Sequence, residues 1–578
     1  MTCKLLIEHG NKTEYFEMKK GDSIADTLSQ TAYALNLNCG AKGRCGKCRV
    51  LITKGAPSAN NTDLRFLSTK EIEKGYRIGC RCYPLSDVTV SCDDPVQLNV
   101  TQNITSECGL PVSGLDVNTS ATKSDSKNSE GDMGTCIAID VGSTTLAFQA
   151  INGNECLPPL VRQNSGIKYG GDVLSRIEQA KSGKAELIKE IMLNDLAGGI
   201  HELANIICEY PSKIVLSGNT TMMHLLMGYD TAGLGEYPFT AVDLDYKDTT
   251  DLKDALLSAT TGPKARNNMK DTRFDLNLHS ASETRVFITP GISAYVGGDI
   301  VSGLLSLDFD KNEKTCVLID LGTNAEMAIG NKDKIVVASA AAGPTFEGGN
   351  LKCGMPSIPG AICGADAETH EIAPNNATKD STDDKSVCIN RNINLQGYNK
   401  NFELKLRTIS GTDPKGICGT GAIEILAELI KAGIIDKTGA LREEYTERGF
   451  PIAEGIVFTA KDIRELQVAK SAIRSGLEIL IKEYGCSYAE VEKVYLAGGF
   501  GYSLSPQKAC AIGLLPPAWE EKIIAAGNTS LKGAAIICKD ETAKERIQKI
   551  ISLTTECELA LHADFGEEFM ENMGFVLS

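Results

Sequence analysis

Four cysteines near the start of the chain constrain its fold more than any other sequence feature. They are Cys39, Cys45, Cys48 and Cys80, with five, two and 31 residues between them. Three glycines lie between Cys39 and Cys48: Gly40, Gly43 and Gly46. Because glycine adopts positive φ freely, such a loop can wrap an inorganic core and direct N–H groups at its sulfurs. Four thiolates in this pattern can ligate one iron–sulfur cluster.

The same cysteines leave two questions open. Four thiolates also suit zinc, although structural zinc sites usually contain two C-x2-C pairs and here only Cys45 and Cys48 form one. Cys82 lies two residues after Cys80 and competes with it as the fourth ligand. Arg44 and Lys47 project from the loop, either as a docking surface for a redox partner or as a solvated loop.

The cysteine spacing and the predicted elements around it resemble the adrenodoxin-like branch of [2Fe-2S] ferredoxins. Within residues 1–98, the stretches CKLLIEH, TEYFEM, RVLITKG and DVTVS read as strands and ADTLSQTAYAL reads as a helix. The first gap between cysteines is one residue longer than in plant-type ferredoxins. In the run YRIGCRC, Cys80 matches the ferredoxin position better than Cys82 does. The resemblance implies a β-grasp domain that binds a [2Fe-2S] cluster.

A polar segment separates this domain from the rest of the chain. Residues 99–133 are rich in Ser, Thr, Asn and Asp and poor in apolar side chains, so we expect a flexible linker. Beyond it, strand-like runs such as CIAIDVG and CVLIDLG alternate with helix-like segments, which predicts an α/β architecture. We predict domain boundaries that give residues 1–98, 134–311 and 312–578.

Three strand-to-loop motifs in the α/β region are candidates for phosphate binding: IDVGSTT (139–145), IDLGTN (319–324) and LAGGFG (496–501). One glycine after a strand is usually only a tight turn. Together, however, the motifs supply backbone N–H groups, hydroxyls and carboxylates that could hold hydrated Mg2+. The candidate carboxylates are Asp140 and Asp320. The candidate nucleotide-binding residues are Gly142, Ser143, Thr144, Thr145, Gly322, Thr323, Asn324, Gly498 and Gly499.

The order of these motifs resembles the actin/Hsp70/sugar-kinase (ASKHA) superfamily. They match its phosphate 1, phosphate 2 and adenosine segments in turn, while ITPGISAYVGGDIVSGLL (288–305) and SPQKACAIGL (505–514) resemble its two connecting helices. The resemblance implies a two-lobed ATPase with lobes at 134–311 and 312–578, the former with or without a separate middle domain. The connecting helices would cross at small residues: Gly297, Gly298, Ala509 and Gly513.

Two further sequence features belong to the interpretation of this region as an ATPase. Gly419, Thr420 and Gly421 begin a helix-like run, where free N–H groups and the helix dipole attract phosphate, unless they form only a plain helix start. Asp299 lies in the first connecting segment and could orient the attacking water. Its alternative role is that of an ordinary polar helix residue.

Taken over both regions, the chain resembles the reductive activators of corrinoid proteins, most specifically in GICGTGAIEILAELIKAGIID and VYLAGGFG. The resemblance implies an ATP-hydrolysing activase of anaerobes that delivers one electron from its cluster to a corrinoid protein. Co(II) would become Co(I) in a methyltransferase system. It also implies ATP with Mg2+, a low-potential donor such as a ferredoxin or flavodoxin, and a homodimer.

Three other functions are alternatives for a chain with these sequence features. One is an activator of 2-hydroxyacyl-CoA dehydratase type, although those proteins lack a ferredoxin domain. Another is a redox-sensing nucleotide-binding protein that delivers no electron, and the third is a small-molecule kinase with an appended ferredoxin.

Charge and hydropathy exclude several classes of function. The net charge of −16 argues against a nucleic-acid partner, although residues 1–98 alone carry +3 and the remainder −19. No apolar run approaches the roughly 20 residues that span a bilayer, and no signal peptide is evident, so we expect a cytoplasmic protein. The six histidines form no ligand-like pair, which argues against a histidine-based metal or hydrolase site.

Overall fold

The computed structural model describes residues 3–9, 12–19, 21–28, 31, 33, 35, 37, 41–44, 46–91, 134–153, 155–261, 283–371, 389–394, 400–501 and 504–575. By their contacts these residues form two compact units. The first comprises residues 3–91 and 134–288, and the second comprises residues 289–575. The predicted linker at 99–133 lies outside the described residues. None of the helices within these ranges is long and apolar enough to cross a membrane.

The described part of residues 3–91 forms a β-grasp domain. Its elements are β1 (Cys3–His9), β2 (Lys12–Met18), α1 (Ile24–Leu28), β3 (Arg49–Lys54), α2 (Asn61–Phe66), α3 (Thr69–Glu73), β4 (Tyr76–Ile78) and β5 (Val88–Ser91). The sheet order is β2-β1-β5-β3-β4, with only β1 and β5 parallel among the described pairs. The apolar side of α1 is buried in the domain's own core. The predicted ferredoxin-like fold is confirmed.

Residues 134–288 form an α/β sheet with its own core. The elements are β6 (Cys136–Val141), β7 (Thr145–Asn152), β8 (Glu155–Cys156), β9 (Leu160–Gln163), α4 (Val173–Gln179), α5 (Ala185–Ile207), β10 (Lys213–Gly218), α6 (Thr220–Met227), α7 (Ala232–Gly235), α8 (Thr250–Thr261) and β11 (Arg285–Ile288). The sheet order is β11-β10-β6-β7-β8, and β9 pairs with β7.

The second unit contains a larger α/β sheet and a smaller sheet, whose strands lie between β14 and β21 in the sequence. The elements are α9 (Gly298–Ser306), β12 (Cys316–Leu321), β13 (Ala325–Gly330), β14 (Ile335–Ala340), β15 (Ala361–Glu371), β16 (Ile389–Asn394), β17 (Lys400–Thr408), β18 (Gly416–Ile417), α10 (Gly419–Lys431), β19 (Phe450–Ala453), β20 (Ile456–Phe458), α11 (Ala460–Tyr484), β21 (Lys493–Ala497), α12 (Gly498–Gly501), α13 (Pro506–Ala511), β22 (Ile523–Gly527), α14 (Thr529–Lys539), α15 (Ala543–Leu553), β23 (Thr554–Glu556) and α16 (Phe565–Glu571). The sheet orders are β22-β21-β12-β13-β14-β23 and β16-β17-β15-β18.

The two α/β sheets repeat one topology. In the first, an antiparallel hairpin of β6 and β7 is extended by parallel strands β10 and β11. In the second, the hairpin of β12 and β13 is extended in the same way by β21 and β22. This repeat, with helices between strands, is the predicted two-lobed α/β class. The boundary at residue 311 stays a prediction. By its contacts, α9 groups with the second unit.

The structure corrects the predicted partner of the first connecting helix. The helix that packs most extensively on α9 is α14, whereas α13, within the predicted segment 505–514, packs on α10. The crossing depends on glycine: a Cβ on Gly533 of α14 would lie 2.1 Å from Ser302 O, and one on Gly303 would lie 3.0 Å from Thr529 Oγ1. Small residues occur both in the predicted segment 505–514 and in α14, so composition alone could not identify the helix that crosses α9.

Gly533→Ala tests this crossing. The added methyl group would meet the Ser302 carbonyl, so the two helices must separate, and we expect a lower denaturant midpoint that corresponds to about 1–3 kcal/mol. Gly566→Ala in α16 is the matched control, because nothing lies within 4 Å of a Cβ there. That variant should be neutral or stabilised by up to about 1 kcal/mol through helix propensity. Equal midpoints for the two variants would contradict the close crossing.

Candidate functional site

Two of the four predicted cluster ligands lie together at one end of a strand pair. Cys48 immediately precedes β3 and Cys80 follows β4 by one residue, and the antiparallel register aligns Arg49 with Ile78. The Gly79 amide donates a 2.7 Å hydrogen bond to Cys48 O. Both cysteines are 3% exposed. Cys39, Cys45 and Gly40 lie outside the described residues.

The loop between the cysteines is shaped by glycine, as the sequence predicts. Gly43 and Gly46 have φ of +68° and +67°. A Cβ on Gly43 would lie 2.8 Å from Arg81 Nε, and one on Gly46 would lie 2.7 Å from the Phe66 ring. The loop therefore wraps tightly beside the Cys80 segment, where any larger residue would push it away. Among the described residues, Cys48 and Cys80 with this glycine-shaped loop fit the part of a cluster site that they would supply.

Cys82 is held differently from Cys80. Its thiol is buried, and burial followed by the negative charge of Asp63 raises the pKa of Cys82 to about 12. Its carbonyl accepts a 3.0 Å hydrogen bond from the Ile24 amide, which ties this residue to α1. Cys80 instead lies directly after Gly79, whose amide bonds to Cys48 O, so it is the cysteine of this pair that the backbone holds beside Cys48, which favours Cys80 as the fourth ligand.

Asp63 is a residue that the sequence reasoning missed. It is fully buried and accepts hydrogen bonds from the Ile78 amide at 2.7 Å and the Asn60 amide at 2.9 Å. It thus attaches the start of α2 to the strand that precedes Cys80. The signal was available in the sequence, because Asn60 and Asp63 form a capping box.

In the second unit, two of the predicted phosphate motifs meet at the ends of parallel strands. Asp320 near the end of β12 is aligned with Ala497 at the end of β21. The next residue, Gly498, has φ of +83°, and a Cβ there would lie 2.7 Å from Asp320 Oδ1. Only glycine permits this approach. The Gly322 amide closes the β12–β13 turn with a 2.9 Å hydrogen bond to Asn324 O.

Three carboxylates gather at this turn. Asp320 is directly opposite Glu326 across the β12–β13 hairpin. Burial, followed by the charges of Asp299 and Asp320, raises the pKa of Glu326 well above its usual range. Like charges directly opposite in a sheet are destabilising, so this arrangement costs free energy in the absence of a bound positive group. Sequence reasoning predicted Asp299 and Asp320 but missed Glu326, whose position follows from the turn length.

The turn also presents a hydroxyl. Thr323 is 7% exposed, and its Oγ1 has no hydrogen-bond partner among the described residues. A buried hydroxyl without a partner is uncommon in folded proteins. Together with the glycine contact at 498, this hydroxyl fits a bound nucleotide.

The glycine-rich start of α10 lies near the same turn, because residues 344–347 lie beside both. A Cβ on Gly419 would lie 1.6 Å from Phe346 O, and one on Gly322 would lie 3.9 Å from Glu347 Oε1. The Cys418 side chain does not cap α10, and its Sγ instead donates to Ile362 O at 3.2 Å. Gly421 and Thr420 are buried in the first turn of this 13-residue helix. The helix start thus retains N–H groups that suit an anion.

In the first unit, the predicted phosphate 1 turn is fixed through its carbonyl groups. Asn164 Nδ2 donates to Gly142 O at 2.8 Å, and the Asn164 amide donates to Thr144 O at 2.9 Å. Arg176, which is fully buried, donates to Ser143 O. Asn164 and Arg176 were not predicted from the sequence. Nucleotide binding by Asp140, Gly142, Ser143, Thr144 and Thr145 stays a prediction.

Comparisons with known proteins cover all of these parts. A model described as the 2Fe-2S iron-sulfur cluster binding domain matches residues 7–85. The RACo middle region matches residues 135–265 and 252–312, and the C-terminal domain of RACo, the ASKHA domain, matches residues 314–577. The corrinoid activation enzyme RamQ of Eubacterium limosum is 30% identical over 76% of this chain and 70% of its own length. The chain belongs to the family of corrinoid-protein reductive activators.

A second relative agrees with this assignment, and a solved structure shares the fold. The [Co(II) methylated amine-specific corrinoid protein] reductase of Methanosarcina barkeri is 25% identical over 72% of each chain. A solved structure of a reductive activator for corrinoid, iron-sulfur protein has the same fold, with a TM-score of 0.60 and 24% identity over 99% of this chain and 98% of its own. For this activator, the family models support a [2Fe-2S] cluster in the first domain and nucleotide binding in the ASKHA domain.

Substitutions of the two adjacent cysteines test the ligand assignment in this activator. Cys80→Ser should abolish the cluster, because a serine hydroxyl is a poor replacement for a thiolate ligand. Cys82→Ser should retain it, since the Cys82 backbone is tied to α1 through the Ile24 amide and Cys80 is the residue held beside Cys48. Iron content and the visible absorbance of the purified protein measure both outcomes. Loss of the cluster in Cys82→Ser alone would reverse the assignment.

Proposed function

We propose that this chain couples ATP hydrolysis to the delivery of one electron to a corrinoid protein, whose Co(II) is thereby reduced to Co(I). The observation that carries the proposal is the presence in one chain of a cysteine loop and a carboxylate-lined nucleotide site. The relatives named for corrinoid activation share most of their length with it. Neither part alone would distinguish this function from that of a ferredoxin or a kinase.

The first domain would hold the electron. Cys39, Cys45, Cys48 and Cys80 would ligate a [2Fe-2S] cluster, which supplies reversible one-electron storage. Burial of Cys48 and Cys80 keeps water from their sulfurs, and the Gly79 hydrogen bond fixes their separation. Water exclusion and fixed ligands limit the structural change that accompanies a change in charge, which favours rapid electron transfer.

The second unit would bind ATP. Asp299, Asp320 and Glu326 would hold Mg2+, directly or through water, and this cation would relieve their mutual repulsion. Thr323 would donate its hydroxyl to a phosphate oxygen, alongside the backbone of Gly322 and Asn324. Residues 419–421 and 498–499 would complete the site with N–H groups. Asp140 and residues 142–145 of the first unit would also bind nucleotide.

Other components of the proposal come from the resemblance to corrinoid-protein activators and from the sequence expectations above. A low-potential protein such as a ferredoxin or flavodoxin would reduce the cluster between turnovers, and the active form would be a homodimer in the cytoplasm. Asp299 would orient the attacking water for hydrolysis. Of these, the role of Asp299 depends most directly on the geometry, because it lies in the first turn of α9 near Glu326.

The experiment is a comparison of Co(I) formation with and without ATP. The protein, reduced by Ti(III) citrate, is mixed with Co(II) corrinoid protein from its host organism, and Co(I) is followed by absorbance. We expect ATP-dependent Co(I) formation that Cys80→Ser abolishes. Thr323→Val should weaken ATP binding about tenfold, as expected for loss of one hydrogen bond to a charged group.

Thr315→Val is the control for the threonine variant. Thr315 immediately precedes β12, at the end of the strand away from the turn, and its Oγ1 lies 3.4 Å from Tyr484 Oη. Its ATP affinity should equal that of the wild type. Absence of ATP-dependent Co(I) in the wild-type protein would contradict the proposal, and phosphorylation of an added metabolite would favour a kinase instead.

A further inference from the structure

One lysine of the second unit joins three elements of the fold. Lys508 lies in α13, and its Nζ is 3.0 Å from Glu424 Oε2 and 3.2 Å from Glu428 Oε1, both in α10. In β15 the same Nζ lies 2.8 Å from Asp366 Oδ1 and donates a hydrogen bond to Ala365 O. The Lys508 ammonium therefore connects α13 to α10 and to β15.

These charges are largely removed from solvent. Glu424 and Glu428 are 3% and 5% exposed, and a second cation, Arg407, donates to Glu424 Oε2 at 3.1 Å and to Asp366 Oδ2 at 2.8 Å. Burial opposes a charge on Lys508, but a hydrogen bond to Asp366 and the charge of Glu424 raise its pKa above the usual value. The lysine is therefore charged when it holds these carboxylates. We define Lys508, Arg407, Asp366, Glu424 and Glu428 as the Lys508 cluster.

The elements that Lys508 connects also carry residues proposed to bind nucleotide. Glu424 lies three residues after Gly421, about one helical turn from the start of α10. A Cβ on Gly421 would meet Ile362 O of β15, so the start of α10 is in direct contact with that strand. On the other side, α13 begins at Pro506, five residues after the glycine-rich loop 496–501 ends. Lys508 thus holds the start of α10 close to the segment that follows this loop.

Stability alone is a weak explanation for the Lys508 cluster. The desolvation of buried charges offsets much of their attraction, and apolar side chains of similar volume often hold two elements together as well. Hydrogen-bonded ion pairs differ from apolar contacts because they are directional. They fix the position of α13 along α10, which apolar packing alone would leave freer. The feature that the cluster adds is therefore the relative placement of these elements.

We propose that Lys508 is a positioning residue of the nucleotide site. It fixes the distance between residues 419–421 at the start of α10 and residues 498–499, so that the N–H groups of both segments reach one nucleotide. The proposal rests on the function proposed above, in which both segments bind ATP. Lys508 itself would touch no atom of ATP, because its ammonium is already surrounded by four acceptor oxygens.

Lys508→Met in the full-length protein tests this role, and Arg546→Met is the matched control. The Arg546 side chain is 14% exposed, against 15% for Lys508, and it pairs with Asp308 and Asp310 in the segment between α9 and β12. That segment lies at the opposite end of β12 from the turn at 322–324. Both variants should lower Tm, because each removes the cation from a buried carboxylate, Glu428 or Asp310.

The Kd of MgATP, measured by isothermal titration calorimetry well below each Tm, separates positioning from stability. Lys508→Met should raise this Kd about tenfold, as expected if one N–H group no longer reaches a phosphate oxygen. Arg546→Met should stay within about twofold of the wild type, because distant sites act independently. Lys508→Arg, which keeps the charge, should recover most of the lost affinity.

A wild-type Kd in Lys508→Met, or an equal rise in Kd in Lys508→Met and Arg546→Met, would overturn the positioning role. If Lys508→Met does not fold, the double variant Lys508→Met/Glu428→Gln decides the question. It removes one charge of each sign and so keeps the net charge of the Lys508 cluster. A wild-type Kd in that variant would also overturn the role. A wild-type protein that binds no MgATP would instead overturn the proposed function.

Discussion

Asp320 and Glu326 face each other across neighbouring antiparallel strands, at the turn where we propose that the second unit binds nucleotide. A shift of one residue in the hairpin register would turn the buried apolar residues of β12 and β13 out of the core, so the register is strongly fixed. The carboxylates cannot move apart along the sheet. Burial and the nearby Asp299 add to the cost of charge, as the raised pKa of Glu326 reflects. In the proposed function a bound cation would relieve this repulsion, which would explain why an ATPase retains such a pair.

Glycine contacts place the remaining groups around that pair. Gly498 allows the end of β21 to approach Asp320, and Gly419 allows the start of α10 to approach Phe346 O. The crossing of α9 and α14 at Gly533 fixes the helix that carries Asp299. In each case a backbone carbonyl or carboxylate occupies the space that a Cβ would need. The site is therefore positioned by close backbone packing, and not by long flexible side chains.

Much of this arrangement could be predicted from the sequence, because the informative residues are chemically distinctive. The spacing of Cys39, Cys45 and Cys48 indicated the ferredoxin-like domain, and the order of IDVGSTT, IDLGTN and LAGGFG indicated the two-lobed ATPase. Glu326 was missed because its importance depends on its cross-strand partner, which only the length of the turn determines. The helix that crosses α9 was misassigned because both candidate segments contain small residues, and only the three-dimensional approach of Gly533 to Ser302 distinguishes them.

The different roles proposed for the cluster domain and the ATPase domain suggest why one chain would contain both domains. A [2Fe-2S] centre of plant type has a potential near −400 mV, so a more reducing acceptor requires another source of free energy. Rapid mixing of the reduced protein with Co(II) corrinoid protein and ATP tests this coupling most directly, with cluster absorbance, Co(I) absorbance and phosphate release followed together. We expect cluster oxidation and Co(I) formation to share one rate constant and both to require ATP. Phosphate release without cluster oxidation, or equal Co(I) formation without ATP, would contradict it.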